Sequence, residues 1–160
     1  MRSLNGERSQ AQLDTNRPER EWTDFLEVNS NAMFELALLL SGDAYTAEVA
    51  LLNSIDELEV TRQPRYGDLA AWQHAVVMRS IATPAKQKRG VDLLYRSTLQ
   101  PGLWPLMQIE RLPRTCFVLR LLLGYPRPEC AELLGIPQSK IERLLQTAIH
   151  MLRQSTTETR

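Results

Sequence analysis

The residues of this chain whose types and spacing could support a specific chemistry lie in Cys130–Ala148, CAELLGIPQSKIERLLQTA. Ala131, Gly135 and Ile141 follow one another at spacings of four and six positions. A helix-turn-helix needs a small residue where its helices cross, a turn residue that accepts positive φ, and an aliphatic residue that points back into the crossing. The spacing therefore predicts a helix-turn-helix with its bend at Gly135.

The second helix of this unit would expose polar side chains at its N-terminal end. Such groups read base edges in the major groove, where Gln pairs with adenine, Arg or Lys with guanine, and Ser with either. Basic side chains on the same surface could also hold phosphates. The candidate DNA-contacting residues are Arg127, Gln138, Ser139, Lys140, Arg143 and Gln146. The alternative is an ordinary helical hairpin with a solvated outer face.

Helices must position these residues, and helical periodicity runs through most of the chain. Apolar residues recur at helical spacing in 21–41, 44–58 and 68–82 and in four later segments, and no stretch alternates as a strand does. We predict an all-α fold of two small helical bundles joined by a basic linker, the C-terminal one containing the helix-turn-helix. The predicted segments are a polar mobile tail (1–20), an N-terminal helical domain (21–85), the linker (86–102), the helix-turn-helix domain (103–155) and a second tail (156–160).

Charge is balanced over the 160 residues, with 19 basic and 19 acidic side chains, but it is unevenly distributed. The segment 21–61 holds acidic residues and no Lys or Arg, whereas 62–96 is mostly basic. Cys116 and Cys130 lie in apolar patterns without a CxxC spacing, which favours buried reduced thiols. The polar N-terminus is unlike a signal peptide, and no apolar run is long enough to span a bilayer. We therefore expect a cytoplasmic protein without a membrane contact.

Residue patterns typical of catalysis or metal binding do not stand out. His74 and His150 fall in different predicted bundles without a neighbouring ligand pattern, and Ser80 and Ser139 lack a His/Asp context. There is no glycine-rich phosphate loop. We expect no enzyme activity, no metal, no cofactor and no small-molecule ligand.

The segment Ile109–Gln154, IERLPRTCFVLRLLLGYPRPECAELLGIPQSKIERLLQTAIHMLRQ, resembles the C-terminal DNA-binding domain of bacterial RNA polymerase sigma factors of the extracytoplasmic-function type. The Leu112–Pro113 step, the Leu-rich helix after it, the Gly124–Tyr125 turn and AELLGI carry the match. Met33–Leu58 and Gly67–Ala82 resemble parts of the N-terminal domain of the same family. The resemblance implies that 21–85 corresponds to sigma region 2 and 103–155 to region 4.

The resemblance further implies that the chain binds core RNA polymerase and promoter DNA, with region 4 at the −35 element and region 2 at the −10 element. It leaves an anti-sigma protein open as a further partner. The residues implied at the −10 element are Trp72, Arg79, Lys86, Lys88 and Arg89, with Tyr66 as a second aromatic candidate. Trp72 could stack on an unpaired base. The alternative is a core residue, because Leu69, Trp72 and Val76 share one helical stripe.

This sequence departs from the family pattern on both predicted surfaces. Glu48, Val49 and Leu52 are the implied polymerase-binding residues, but the family usually has an acidic residue and a glutamine where this chain has Val49 and Leu52. The family commonly has Lys or Arg where Glu142, Leu144 and Thr147 stand, so we expect weak or conditional DNA binding. These departures favour a second hypothesis, a degenerate relative that serves as a protein-interaction or regulatory module. A stand-alone helix-turn-helix repressor is a third.

Overall fold

The computed structural model describes residues 17–61, 68–84 and 99–157, and every regular element in these ranges is helical. The elements are, in chain order, α1 (Arg17–Ser41), α2 (Ala44–Thr61), α3 (Leu69–Ala82), a 3-10 helix (Pro101–Gln108), α4 (Arg111–Phe117) with a π-helical turn after it (Val118–Leu122), α5 (Arg127–Leu134) and α6 (Gln138–Thr157). The predicted all-α class is confirmed. No helix within the described ranges combines the length and apolarity needed to cross a bilayer.

The N-terminal helices begin and end where local sequence signals direct. α1 starts at Arg17, inside the segment predicted as a tail, and ends before Gly42, whose φ of 87° suits glycine. The Asp43 carboxylate accepts a hydrogen bond from the Thr46 amide at 2.8 Å and so helps to start α2. Asp68 is the N-cap of α3 and accepts from the Ala71 amide at 3.2 Å.

α1, α2 and α3 pack against one another and bury their apolar stripes. Trp72 is the largest fully buried side chain, and its indole N–H donates to the Ser54 hydroxyl at 3.0 Å. The Phe25 ring lies 5.5 Å from the Trp72 ring, centroid to centroid. A buried indole requires a hydrogen-bond partner, and Ser54 supplies it from the facing helix α2.

In the C-terminal part, α6 packs along α4, and α5 packs across α6. Cys116 and Cys130 are fully buried free cysteines, which agrees with the prediction of buried thiols. Burial raises the pKa of the Cys116 thiol to about 11 and also raises the pKa of Cys130. Both side chains are therefore protonated near neutral pH and act as small apolar groups.

The N-terminal and C-terminal helices share one continuous cluster of buried side chains. α1 contacts α4, and α3 contacts α5. At the centre of this contact the Arg114 guanidinium, only 4% exposed, donates from Nε to the Leu39 carbonyl at 2.6 Å and from Nη1 to the Ile109 carbonyl at 2.8 Å. The predicted division into two bundles is thus not confirmed, because the two sets of helices pack on each other.

A second arginine of α4 donates hydrogen bonds to the C-terminal end of α3. Arg111 Nη2 donates to the carbonyls of Ser80 at 2.9 Å and Thr83 at 3.0 Å. Those carbonyls belong to the last turn and C-cap of α3, where helical partners are missing. Nearby, His74 Nδ1 and the Tyr125 hydroxyl share a hydrogen bond of 3.1 Å between α3 and the turn before α5.

Gly42 and Gly124 form a matched pair for testing the Arg114 contact. Both have positive φ, but a Cβ at Gly42 would collide with the Arg114 guanidinium, whereas a Cβ at Gly124 would meet nothing. Gly124→Ala should lower the free energy of unfolding by about 1–2 kcal/mol through backbone strain alone. Gly42→Ala should lose about 2 kcal/mol more, because the displaced guanidinium leaves buried carbonyls without a donor.

Urea unfolding of both variants measures the difference. In an Arg114→Ala background the collision is absent, so the extra loss from Gly42→Ala should disappear. Equal losses at the two glycines in the wild-type background would show that the Arg114 guanidinium does not occupy the space beside Gly42.

Candidate nucleic-acid interface

The bend between α5 and α6 lies at Gly135, as the spacing predicts. Gly135 has φ 63° and ψ 34°, the left-handed conformation. Its amide donates to the Glu132 carbonyl at 3.2 Å, and the Ile136 amide donates to the Ala131 carbonyl at 3.0 Å. These two bonds form a Schellman motif, which satisfies the last carbonyls of α5 and turns the chain sharply into α6.

α6 is fixed to the rest of the protein by one apolar stripe. Ile141, Leu145 and Ala148 are buried, and Leu144, Ile149 and Leu152 are partly buried. Pro137 lies just before the helix, and its carbonyl accepts from the Lys140 amide at 3.0 Å. Because the stripe faces inward, the opposite side of the N-terminal half of α6 faces solvent.

The predicted DNA-contacting side chains of this region lie together on that solvent face or beside it. Gln138, Ser139, Lys140, Arg143 and Gln146 are all exposed on α6. Arg127 is exposed at the start of α5. The arrangement presents amide, hydroxyl, ammonium and guanidinium groups on one surface, and these are groups that can bond base edges and phosphates.

A carboxylate lies within this surface and pairs with two of the candidates. Glu142 Oε2 is 3.4 Å from Arg127 Nη2, and Glu142 Oε1 accepts from Gln146 Nε2 at 3.5 Å. The Arg127 and Glu142 side chains are 49% and 48% exposed. An ion pair this exposed contributes at most about 1 kcal/mol, so it restrains the guanidinium without locking it.

The candidates in the N-terminal half are not brought together in the same way. The stacking role predicted for Trp72 is wrong for this conformation, because the ring is fully buried and its indole N–H is bonded to Ser54; the core alternative holds. Arg79 is exposed, and its Nε donates to Glu57 Oε2 at 2.9 Å. Tyr66, Lys86, Lys88 and Arg89 lie outside the described residues.

The predicted polymerase-binding residues lie on the outer side of α2. Glu48 is exposed, Val49 is half-buried, and Leu52 is 55% exposed. Tyr45, one turn before Val49, is 59% exposed and extends the same helical stripe. This face therefore combines apolar side chains with a carboxylate, whereas the opposite side of α2 packs on α1 and α3.

Two sets of side-chain contacts could not be predicted from the sequence. The paired roles of Arg111 and Arg114 depend on carbonyls in α1 and α3 that are distant along the chain. The Arg127–Glu142 pair spans 15 positions and crosses from α5 to α6. No periodicity or spacing rule marks either feature, although two arginines within an otherwise apolar helix start, RLPRTCF, are an unusual composition that invites a search for buried partners.

Among residues 17–61, 68–84 and 99–157, no three His, Cys, Asp or Glu side chains group in a way that could hold a metal ion. No protein-family model, curated protein sequence or solved structure matches this chain.

Substitutions at Gly135 test the bend. A Cβ at Gly135 would meet no atom within 4 Å, so only the backbone conformation opposes a side chain there. Asn tolerates positive φ and β-branched residues do not. Gly135→Asn should therefore lose less than about 1 kcal/mol of unfolding free energy, and Gly135→Val about 2 kcal/mol or more. Chemical denaturation of the three proteins compares them, and a Val variant as stable as the Asn variant would place the bend elsewhere.

Proposed function

We propose that this chain is a sigma-factor-like transcription initiation protein of the bacterial cytoplasm that binds core RNA polymerase and promoter DNA. The observation that supports it most is the exposed polar face of α6, which follows a left-handed bend at Gly135 and is fixed from behind by Ile141 and Leu145. A helix held in this way can enter a major groove with its N-terminal residues first. The resemblance of Ile109–Gln154 to sigma region 4 gives the −35 element as its target.

In this proposal some side chains of α5 and α6 contact bases and others contact phosphates. Gln138 and Gln146 are exposed and carry both a donor and an acceptor for base edges, and Arg143 is exposed and carries donors. Lys140 and Arg127 hold flanking phosphates. Arg127 contacts Glu142 only through Nη2, so its other guanidinium N–H groups can reach a phosphate while that pair is kept.

Basic residues, rather than Trp72, would contact the −10 element. Arg79 is exposed on α3 and can exchange Glu57 for a phosphate. Lys86, Lys88 and Arg89 follow in the sequence and would extend this contact. The N-terminal half would therefore contact the DNA backbone through charge, whereas Trp72 belongs to the core.

The polymerase contact would use the outer face of α2. Val49 and Leu52 are apolar side chains left partly or largely in solvent, and Glu48 lies beside them. Apolar groups gathered on an exposed helix face are typical of protein-binding surfaces. A partner with apolar and basic groups fits this face.

A degenerate relative that acts as a protein-interaction or regulatory module with weak DNA binding is the second candidate. It is favoured by the pairing of Arg79 with Glu57 and of Arg127 with Glu142, since both pairs neutralise cations that DNA would need. The exposed Leu52 fits this function equally well. A stable protein partner, together with no shift of random-sequence duplex even at low salt, would select this candidate.

Arg143→Ala tests DNA reading by α6. On a duplex selected from a random pool by the wild-type protein, the variant should bind about 1–3 kcal/mol more weakly, because a base contact is lost. Arg153→Ala removes the same charge further along α6 and should weaken all sequences equally, with a salt slope about one unit lower. Fluorescence anisotropy across a salt series measures both. Unchanged affinity in Arg143→Ala would assign this residue to a solvated face.

Leu52→Ser tests the polymerase contact. Co-migration with core RNA polymerase should fall about tenfold in apparent affinity, as expected when a central apolar contact of an interface is truncated. Val60→Ser is the matched control, because Val60 is an exposed apolar residue near the end of the same helix and is 81% exposed. If both variants, or neither, lose co-migration, the face around Leu52 is not the contact.

A further inference from the structure

The solvent face of α6, which we propose binds DNA, contains one carboxylate, that of Glu142. Glu142 directly follows the buried Ile141 and is exposed among Ser139, Arg143 and Gln146. A carboxylate on a surface that approaches DNA is repelled by phosphates, which weakens sequence-independent binding. On a DNA-binding face such a group is useful if it reads a base that suits an acceptor without a donor, whereas the amides and the hydroxyl of this face carry both.

The Glu142 carboxylate has two hydrogen-bond partners and can accept further hydrogen bonds. Arg127 contacts only Oε2, at 3.4 Å, and Gln146 contacts only Oε1, at 3.5 Å. Both distances are long for hydrogen bonds to a carboxylate, and an ionised carboxylate has about four acceptor positions. The side chain is also 48% exposed. Each oxygen therefore keeps acceptor capacity toward solvent, on the side that a duplex would approach.

The major groove offers few donors to such an acceptor. Guanine presents O6 and N7 and thymine presents O4, all of which are acceptors that repel a carboxylate. Adenine presents the N6 amino group beside the acceptor N7, so the second carboxylate oxygen would face a lone pair. Cytosine presents the N4 amino group without a neighbouring acceptor on the same base. A carboxylate held by a cation therefore discriminates in favour of cytosine.

We propose that Glu142 is a specificity-determining residue that accepts a hydrogen bond from the exocyclic amino group of one cytosine, and that Arg127 positions it from α5. Arg127 offsets part of the repulsion from phosphates and restrains the carboxylate through Oε2, so that other acceptor positions stay open toward the groove. This inference rests on the proposed DNA binding by α6. It adds a base preference that none of the basic or amide side chains of that helix could supply.

Selection from a randomised duplex pool, followed by sequencing, tests the assignment in the full chain. The wild-type protein should enrich cytosine at one position by about five- to tenfold over other bases, the discrimination typical of one good base contact. Glu142→Ala should lose that preference to within about twofold while the other positions keep theirs. Glu142→Gln should change the preference at the same position to adenine, since an amide both accepts from N6 and donates to N7.

Two matched variants separate base reading from charge. Glu132→Gln removes an equal charge from an exposed position of α5 and should raise affinity for all sequences without altering any base preference. Arg127→Met should lower affinity for all sequences through the lost phosphate contact and should also weaken the cytosine preference, which Glu132→Gln leaves unchanged, because the carboxylate loses its positioning partner. Because these positions are exposed, unfolding temperatures should stay within about 3 °C of wild type.

Two failures would be distinguishable. If the wild type, Glu142→Ala and Glu142→Gln all enrich the same sequence and differ only in affinity and salt slope, Glu142 acts through charge alone and this inference is overturned while DNA reading by α6 stands. If the wild type enriches no sequence at all, the proposed function fails and the inference fails with it.

Discussion

The structure depends on a charged group buried between its two sets of helices. Arg114 is only 4% exposed, and its guanidinium donates to carbonyls of Leu39 and Ile109. Burial, with repulsion from Arg111, lowers its pKa to about 10, so the group is still charged at neutral pH. A buried charge is tolerated only when its donors are satisfied. The last turn of α1 contains no basic residue of its own, and Arg114 supplies the positive charge that its carbonyl end favours.

This one contact connects the core to the candidate DNA-binding face. α4 carries Arg114 and Thr115 toward α1, and its buried Cys116 and the following Leu119 belong to the shared core. α6 packs along α4, and α5 packs across α6. Through α4, the helix that carries the candidate DNA-binding face is therefore connected to the hydrogen bonds at the end of α1. Gly42 has no side chain, which leaves room for the guanidinium, so a backbone turn in the N-terminal half also supports a surface in the C-terminal half.

Sequence reasoning succeeds here where a local rule decides the structure. Asp68 as an N-cap, Gly135 as a left-handed helix end and the buried stripe through Ile141 and Leu145 each depend on residues within a turn or two of each other. Periodicity also places Trp72 on an inward stripe, but cannot say whether that stripe meets another helix or a ligand; Ser54 and Phe25, from other helices, decide it. The Arg114–Leu39 contact spans 75 positions, and only tertiary packing brings the two groups together.

Tertiary packing also changes how much positive charge is available to a partner. Counting charges along the sequence overestimates it. Arg79 and Arg127 count as free cations in the sequence, yet each is paired with a carboxylate from a neighbouring helix. Both pairs are about half exposed, so separating either one costs at most about 1 kcal/mol. A duplex that presents many phosphates at low salt can meet that cost at Arg79, whereas at higher salt the gain from counterion release shrinks. For the DNA binding proposed above, the pairs would therefore set a threshold rather than prevent binding, and the polymerase contact proposed at the α2 face would lower that threshold by holding the chain close to DNA.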